Sequence, residues 1–225
     1  MKRKLGAITI GQSPRDDVIP EMVEFLGKDI EVIQAGALDG LGLEEIEMFS
    51  PEHGDYVLVS KLRDGNSVKF AEKHILPRLQ QCIYKLEREG VDLILFICTG
   101  VFPDIFKSKV PILYPQKIIH GVVPNLLDKG RLAVITPDKE QIEQSKKKWE
   151  ETGMDVVVVA ASPYTEEDEF SEAISILKNE DIDMIVLDCI GYNEEMKKIV
   201  SEGTGKMVVL SRTIIARVIG EILNS

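Results

Sequence analysis

The sequence lacks the features of several protein classes. It has no apolar run long enough to span a membrane, and the basic start Met1-Lys2-Arg3-Lys4 precedes a strand of about six residues, too short for the core of a signal peptide. With a formal net charge of −11 and no basic patch, it also lacks the charge needed to bind nucleic-acid phosphates. These absences predict a cytoplasmic protein with no nucleic-acid partner and no membrane partner.

Cysteine and histidine motifs are equally sparse. The three cysteines form no C-x-x-C pair, and an odd number without an export signal predicts reduced thiols. The three histidines are scattered, which predicts no metal site. There is no P-loop and no G-x-G-x-x-G, so neither standard phosphate-binding loop is present.

What the sequence does contain is a duplicated segment with a cysteine. Residues 91–100 and 182–191 are apolar runs of strand length, each with an early aspartate and a closing Cys-x-Gly. Cys98 and Cys189 lie 91 residues apart, as do the two aspartates, so the copies align without a gap. Such runs are typical of strands buried in a parallel sheet, where ligands bind beyond the carboxyl ends. We therefore predict both thiols at ligand-binding edges, whereas Cys82, inside a predicted helix, is interpreted as structural.

The duplication extends to other segments and predicts the fold. Residues 5–10 resemble residues 132–137, and residues 30–35 resemble residues 154–159. Strands that alternate with helical patterns predict an α/β fold of two pseudo-symmetric domains, each a parallel, four-stranded sheet flanked by helices. The predicted domains are residues 1–112 plus 208–225, and residues 113–207. The predicted helices are residues 16–26, 71–89, 139–152, 166–179 and 212–223, and a β-hairpin is predicted around Asp64-Gly65.

Further candidate site residues follow the predicted strands. Gln12-Ser13-Pro14-Arg15 comes after the first strand, where Ser13 is expected to cap the next helix. A helix start with a serine hydroxyl and an arginine suits an anion, although capping alone would also explain the motif. Beyond the cysteines, the amides of Gly100 and Gly191 and the hydroxyl of Thr99 are candidates for holding a carboxylate.

At these residues the chain resembles the AroM family, within the aspartate/glutamate racemase superfamily. The resemblance is carried by three motifs: Gly11-Gln12-Ser13-Pro14-Arg15-Asp16-Asp17, Cys98-Thr99-Gly100 and Leu187-Asp188-Cys189-Ile190-Gly191-Tyr192. It implies two α/β domains with an active site between them, no cofactor, and two cysteines that deprotonate and reprotonate the Cα of a small acid. It further implies Ser13 and Thr99 as substrate contacts. The complete set of substrate-binding candidates is Gln12, Ser13, Arg15, Thr99, Gly100, Gly191 and Tyr192.

Three functions are compatible with these residues. The first is a cofactor-independent racemase or epimerase of a small carboxylate, with Cys98 and Cys189 as the acid/base pair. The second is a single-cysteine isomerase or decarboxylase of a diacid. The third is a non-catalytic small-molecule binding protein in aromatic metabolism, because Ile190-Gly191 stands where glutamate racemases have Thr-His. All three functions predict a small anionic (carboxylate) ligand. The sequence is also compatible with a homo-oligomer.

Overall fold

The computed structural model describes residues 2–27, 29–127, 129–165 and 167–224. The chain divides into two compact units, each held together by its own contacts. The N-terminal unit is Met1–Pro115 with Ala216–Ser225, and the C-terminal unit is Gln116–Ile215. The sequence predicts domain boundaries between residues 112 and 113 and between residues 207 and 208.

A parallel sheet organises the N-terminal unit. The helices and strands of this unit are β1 Arg3–Thr9, α1 Ile19–Leu26, β2 Ile30–Gly36, α2 Leu43–Glu47, β3 Val57–Lys61, β4 Ser67–Ala71, α3 Glu72–Arg88, β5 Leu93–Ile97 and β6 Ile112–Leu113. The strand order of the sheet is β2-β1-β5-β6, and every neighbouring pair is parallel. Strands β3 and β4 form the predicted antiparallel hairpin.

The C-terminal unit repeats this arrangement. Its strand order is β8-β7-β9-β10, again with parallel neighbours. Its elements are α4 Pro115–Leu126, β7 Arg131–Thr136, a 3-10 turn Lys139–Gln141, α5 Ile142–Glu150, β8 Asp155–Ala160, α6 Glu169–Leu177, β9 Met184–Leu187, α7 Glu194–Thr204, β10 Met207–Leu210 and the start of α8 Ser211–Leu223. In both sheets the first strand of the unit therefore lies between its second strand and its cysteine strand, which confirms the predicted α/β fold with two duplicated parallel sheets.

The duplicated aspartates have the same structural task in both units. Asp92 accepts a hydrogen bond from the Lys4 amide at 2.8 Å and donates its own amide to the Lys4 carbonyl. Asp183 does the same with Arg131, where the side-chain bond is 2.9 Å. Each aspartate thus links the start of the cysteine strand to the start of the neighbouring central strand. These hydrogen bonds fix the register of the two strands, and with it the position of the cysteine at the carboxyl edge of the sheet.

Buried strands and amphipathic helices form the two cores. Every residue of β5 and of β9 is buried, as expected for strands covered on both faces. The predicted face of α3 is confirmed, since Ile75, Leu79 and Ile83 are fully buried. Phe96 of β5 packs edge-to-face against Phe102 with ring centroids 5.1 Å apart. Within the described residues, no helix has the length and apolar character needed to cross a membrane.

Three helix starts lie three residues later than predicted, and one of them is α5, which begins at Ile142 after the 3-10 turn Lys139–Gln141. Helix α1 begins at Ile19 instead of residue 16, because Pro20 suits a first turn and the preceding residues form turns around the Arg15 carbonyl. Ser13 is therefore not its cap, and that prediction is wrong. The helix predicted from residue 166 is observed from Glu169, with Asp168 as the capping side chain, while Glu166 itself lies outside the described residues.

Candidate active site

Cys98 follows directly after β5, at the carboxyl edge of the N-terminal sheet. Its sulfur accepts a hydrogen bond from the Gly100 amide, with a distance of 3.3 Å between N and Sγ. The ring of Tyr56 lies beside this turn, and its hydroxyl accepts the Val101 amide at 3.1 Å. A Cβ on Gly100 would lie 3.1 Å from the Leu58 side chain, so a glycine suits this crowded turn.

Cys189 occupies the equivalent place beyond β9 in the C-terminal unit. Its sulfur accepts the Gly191 amide, again with 3.3 Å between N and Sγ. The hydroxyl oxygen of Tyr164 lies 3.7 Å from the same sulfur. A Cβ on Gly191 would lie 2.3 Å from that hydroxyl oxygen, so the absence of a side chain leaves room for the phenol.

The two thiols share features that suit proton transfer. Both are partly exposed at a sheet edge, and each receives a backbone N–H that favours a negative sulfur. Cys82 is different, because burial, with a smaller contribution from the charge of Asp39, raises the pKa of its thiol to about 11. The structure therefore separates one buried cysteine with a raised pKa from two partly exposed thiols at sheet edges.

A buried ionic network lies directly behind Cys189. The carboxylate of Asp188 is paired with the Lys148 ammonium at 2.5 Å and accepts the Trp149 indole N–H at 2.7 Å. His120 packs on Trp149 with ring centroids 4.4 Å apart and lies 2.9 Å from the Gln116 side-chain nitrogen. Burial, followed by the charge of Lys148, lowers the pKa of His120 to about 4. The sequence analysis did not identify Lys148, Trp149 and His120 as neighbours of Asp188. The one sequence signal for such a network was an aspartate directly before a cysteine at the end of an apolar strand.

Arg212 fixes the turn that carries Cys189. It is 1% exposed, and its guanidinium donates to the Ile190 carbonyl at 2.9 Å and to the Gly191 carbonyl at 2.8 Å. Ser211 donates its hydroxyl to the Leu187 carbonyl at 2.7 Å. The strand-to-helix junction at residues 210–212 thus holds three carbonyls around the second cysteine.

Asp39 anchors the predicted Gln12-Ser13 motif. Its carboxylate accepts the Ser13 amide at 2.8 Å, the Ser13 hydroxyl at 2.7 Å and the Gly36 amide at 2.9 Å. Arg63, at the tip of the hairpin, pairs with Asp39 at 3.0 Å and also donates to the Ser13 carbonyl. The Gln12 side chain accepts the Arg63 amide at 3.2 Å. Ser13 and Gln12 therefore belong to a hydrogen-bonded loop, and Asp39, which holds it together, was not recognised in the sequence.

Arg15 is buried and engaged in a bidentate ion pair. Its Nε and Nη2 atoms each lie 2.8 Å from a carboxylate oxygen of Asp17. Its Nη1 atom lies 3.3 Å from the Thr9 hydroxyl and 3.4 Å from the Ser60 hydroxyl. Burial raises the pKa of Asp17, but the hydrogen bond and charge of Arg15 outweigh it, so the net pKa is lowered. This guanidinium is committed to Asp17, and the predicted anion site at a helix start formed by Ser13 and Arg15 does not fit the structure.

Tyr192 lies in the core of the C-terminal unit. It is fully buried, its hydroxyl donates to the Ala161 carbonyl at 2.7 Å, and its ring packs on Phe170. Burial raises its pKa well above the ordinary value. The predicted role in substrate binding is therefore corrected to a structural one, because the side chain has neither exposure nor an uncommitted proton to offer. Thr99, next to Cys98, is 5% exposed, and its role in substrate binding stays a prediction.

No group of three or more histidine, cysteine, aspartate or glutamate side chains within the described ranges is arranged to hold a metal ion. Each unit supplies one thiol beside a backbone amide, and the C-terminal unit adds the phenol of Tyr164.

The sequence pattern of the AroM family, described as AroM protein, matches residues 5–223. The chain belongs to the AroM family. A search of the curated proteins gives no match.

Several solved structures resemble this AroM protein in fold. A glutamate racemase from Francisella tularensis in complex with D-glutamate has a TM-score of 0.66 at 12% identity, over 99% of this chain and 81% of that chain. The maleate isomerase Iso from Pseudomonas putida has a TM-score of 0.63 at 14% identity, over 99% and 93%. A Cys-to-Ser mutant of Nocardia farcinica maleate cis-trans isomerase, with a covalently bound succinylcysteine intermediate, has a TM-score of 0.58 at 11% identity, over 99% and 93%. At these identities the likeness establishes the racemase-like fold.

Proposed function

We propose that this AroM protein is a cofactor-independent racemase or epimerase of a small carboxylate, with Cys98 and Cys189 as its acid/base pair. One observation carries the proposal: two equivalent strand ends each present a partly exposed thiol whose sulfur accepts the amide two residues later at 3.3 Å. Cys82, by contrast, is buried inside α3.

The proposed reaction needs one thiolate and one thiol. The thiolate removes the proton from the carbon next to the carboxylate, and the electron pair of that C–H bond passes into an enolate. The thiol of the other cysteine then gives its proton to the opposite face of the same carbon. The two cysteines have exchanged protonation states at the end of the step, and proton exchange with water restores the starting state. Thr99 and the backbone amides beside the cysteines are the candidates for stabilising the enolate charge.

The proteins of similar fold support a small carboxylate ligand, since one of them is a racemase in complex with D-glutamate and another is a maleate isomerase. A second candidate is a diacid isomerase in which one cysteine adds to a carbon–carbon double bond. It is favoured by the phenol beside one thiol, since the Tyr164 hydroxyl oxygen lies 3.7 Å from the Cys189 sulfur. The Nocardia farcinica isomerase, with its succinylcysteine intermediate, also supports this candidate.

Proton exchange in heavy water tests the proposal. Single enantiomers of aspartate, glutamate and other small 2-substituted acids, and maleate, are incubated with the protein, and NMR follows Cα deuteration, chirality and double-bond geometry. We expect Cys98→Ser and Cys189→Ser each to lower net racemisation by about 1,000-fold, while Cα exchange of one enantiomer persists in each. Cys82→Ser is the matched control and should keep full activity.

The other outcomes are equally informative. Racemisation in both single mutants at the level of Cys82→Ser would contradict the acid/base assignment. A dead Cys189→Ser with a fully active Cys98→Ser, and activity on maleate, would favour the single-cysteine isomerase. Binding of a carboxylate with no exchange in the unaltered protein would favour a non-catalytic binding protein.

A further inference from the structure

The two peptide groups that follow Cys189 are hydrogen-bonded at both of their ends. In the first group, the Ile190 carbonyl accepts Arg212 Nε at 2.9 Å, and the N–H of Gly191 donates to the cysteine sulfur at 3.3 Å. In the second group, the Gly191 carbonyl accepts Arg212 Nη2 at 2.8 Å, and the N–H of Tyr192 donates to the cysteine carbonyl at 3.4 Å. Arg212 thus lies at both oxygen ends, and Cys189 at both hydrogen ends.

Peptide geometry makes these two sets of contacts depend on each other. Both peptide bonds are trans, so the carbonyl and the N–H of each group point in opposite directions. A side chain that holds the two carbonyl oxygens on one side therefore turns both N–H groups to the other side, toward Cys189. Arginine suits this task, because its planar guanidinium presents several donors in a fixed fork.

The charge of Arg212 also strengthens the contact with the sulfur. The side chain is buried, so water screens its charge little. A charged donor at the carbonyl oxygen polarises the peptide group, which strengthens the hydrogen bond that its N–H donates. Because that N–H lies at the Cys189 sulfur, the stronger bond favours the thiolate over the thiol.

Other ionisable groups around Cys189 come from several elements of the C-terminal unit. They are the Asp188–Lys148 pair, His120 of α4, Tyr164 after β8, Glu169 of α6 and Tyr192. The carboxylates among them disfavour a negative sulfur, so a thiolate gains from each hydrogen bond that it accepts. The substitutions of Arg212 used below leave all of these groups in place.

We propose that Arg212 is a positioning residue that stabilises the thiolate form of Cys189 through the two peptide groups between them. It holds the carbonyls of residues 190 and 191, and thereby directs and strengthens the Gly191 N–H at the sulfur. The effect on the sulfur is independent of the proposed function, whereas its use rests on it. The thiolate is the base in a racemase and the nucleophile in a single-cysteine isomerase.

Alkylation with iodoacetamide measures the thiolate content of Cys189 without any substrate. The protein is alkylated from about pH 5 to about pH 10, and mass spectrometry quantifies the Cys189 peptide. Arg212→Met removes the fork and its charge, and should raise the pH midpoint by about one unit. Arg212→Lys keeps the charge without the fork, and should raise it by at least about half a unit.

The matched control is Arg217→Met, which removes an exposed positive charge from the same helix α8. It should leave the Cys189 midpoint in place. Trp149 is fully buried in the C-terminal unit and is the one tryptophan of the sequence. An unchanged fluorescence maximum therefore shows that a variant keeps this unit folded.

A second measurement uses the protein with Arg212 intact. NMR of the ¹⁵N-labelled protein follows the Arg212 Nε–H and the Gly191 backbone N–H over the same pH range. Both resonances should shift with the alkylation midpoint of Cys189, because the same peptide group connects the guanidinium to the sulfur. Cys189→Ser should abolish both shifts.

Three results would overturn the inference. They are an unchanged midpoint in folded Arg212→Met, an Arg212→Lys midpoint equal to that of the unaltered protein, and an Arg212 Nε–H that does not respond when Cys189 titrates. The second would show that charge acts without the hold on two carbonyls. If the expected shifts occur while no carboxylate is turned over, the role of Arg212 stands and the proposed racemase fails instead.

Discussion

The residues before the two cysteines differ more than the cysteines themselves. In the N-terminal unit, Cys98 is preceded by Ile97, an apolar strand residue that is 3% exposed. In the C-terminal unit, the equivalent residue is Asp188, which is 4% exposed and paired with Lys148. The N–H···S distance is nevertheless 3.3 Å in both units. Duplicated sites can therefore keep the geometry at the sulfur while one copy rests on apolar packing and the other on a buried ion pair.

The largest expected effect comes from breaking that ion pair. Lys148→Met leaves the buried Asp188 charge without its cation and should lower the free energy of unfolding by about 3–5 kcal/mol. Urea denaturation measures the loss. Lys148→Met combined with Asp188→Asn removes both charges and keeps an acceptor for Trp149, so it should be less destabilised than Lys148→Met alone.

The matched pair in the N-terminal unit is Arg15–Asp17. The Asp17 side chain is 29% exposed, so its charge keeps part of its hydration when Arg15 is lost. Arg15→Met should therefore cost less, about 1–2 kcal/mol. A cost equal to or greater than that of Lys148→Met would show that the comparison of the two ion pairs is wrong.

A smaller effect is expected from the buried phenol of the C-terminal core. Tyr192→Phe removes the hydrogen bond to the Ala161 carbonyl and should lower the free energy of unfolding, measured by urea denaturation, by about 1 kcal/mol. Tyr84→Phe, on the exposed side of α3, is the control and should cost almost nothing. Unchanged stability together with lost binding of a carboxylate ligand would restore Tyr192 as a substrate-binding residue.

The two units should also differ in how their stability depends on pH. Burial raises the pKa of Glu72, in α3, to about 7, so the folded N-terminal unit favours the neutral carboxyl. This stabilisation is complete below the ordinary pKa of 4.5 and is lost as the pH rises toward 7. His120 has the opposite sign, because its pKa is lowered to about 4. Its contribution is complete above 6.5 and is lost as the pH falls toward 4.

Single substitutions should separate the pH dependence of stability due to Glu72 from that due to His120. The Glu72→Gln variant keeps His120, so its free energy of unfolding should rise with pH between about pH 4.5 and 6.5. The His120→Gln variant keeps Glu72, so its free energy of unfolding should fall over the same range. Hydrogen exchange followed by mass spectrometry resolves the two units in one experiment. Identical pH profiles for the two variants would argue against the assignment of these groups.

Sequence periodicity was sufficient to predict the sheets and most helices, because buried parallel strands and amphipathic helices leave regular apolar patterns. The buried face of α3 was predicted in this way, and the hairpin of β3 and β4 was predicted from the Asp64-Gly65 turn between two apolar runs. The start of α1 was not, because Ser13 followed by Pro14 has the composition of a helix cap while its hydroxyl in fact binds Asp39. A capping motif and a tertiary hydrogen bond use the same residue type, and local sequence does not distinguish them.

The sequence pointed to the two candidate thiols but not to the side chains that surround them. The duplicated Cys-x-Gly identified both thiols and both glycines, since they repeat at one spacing. Tyr164 and Lys148 come from loops or helices whose sequences carry no repeat, and their place beside Cys189 or Asp188 follows only from the fold. Tyr192 was overestimated because an aromatic residue next to a motif gives no indication of the direction of its side chain.

Helix α8 has a consequence for the order in which the protein folds during synthesis. Its residues from Ala216 onward belong to the N-terminal unit, where Asn224 donates to the Leu26 carbonyl and Gly220 lies against the backbone of Phe25. A ribosome adds these residues only after the roughly 100 residues of the C-terminal unit, which takes roughly 5–20 s at about 5–20 residues per second. The first unit to emerge is thus the last to be completed, and the nascent chain holds an open surface beside α1 until its final helix is made.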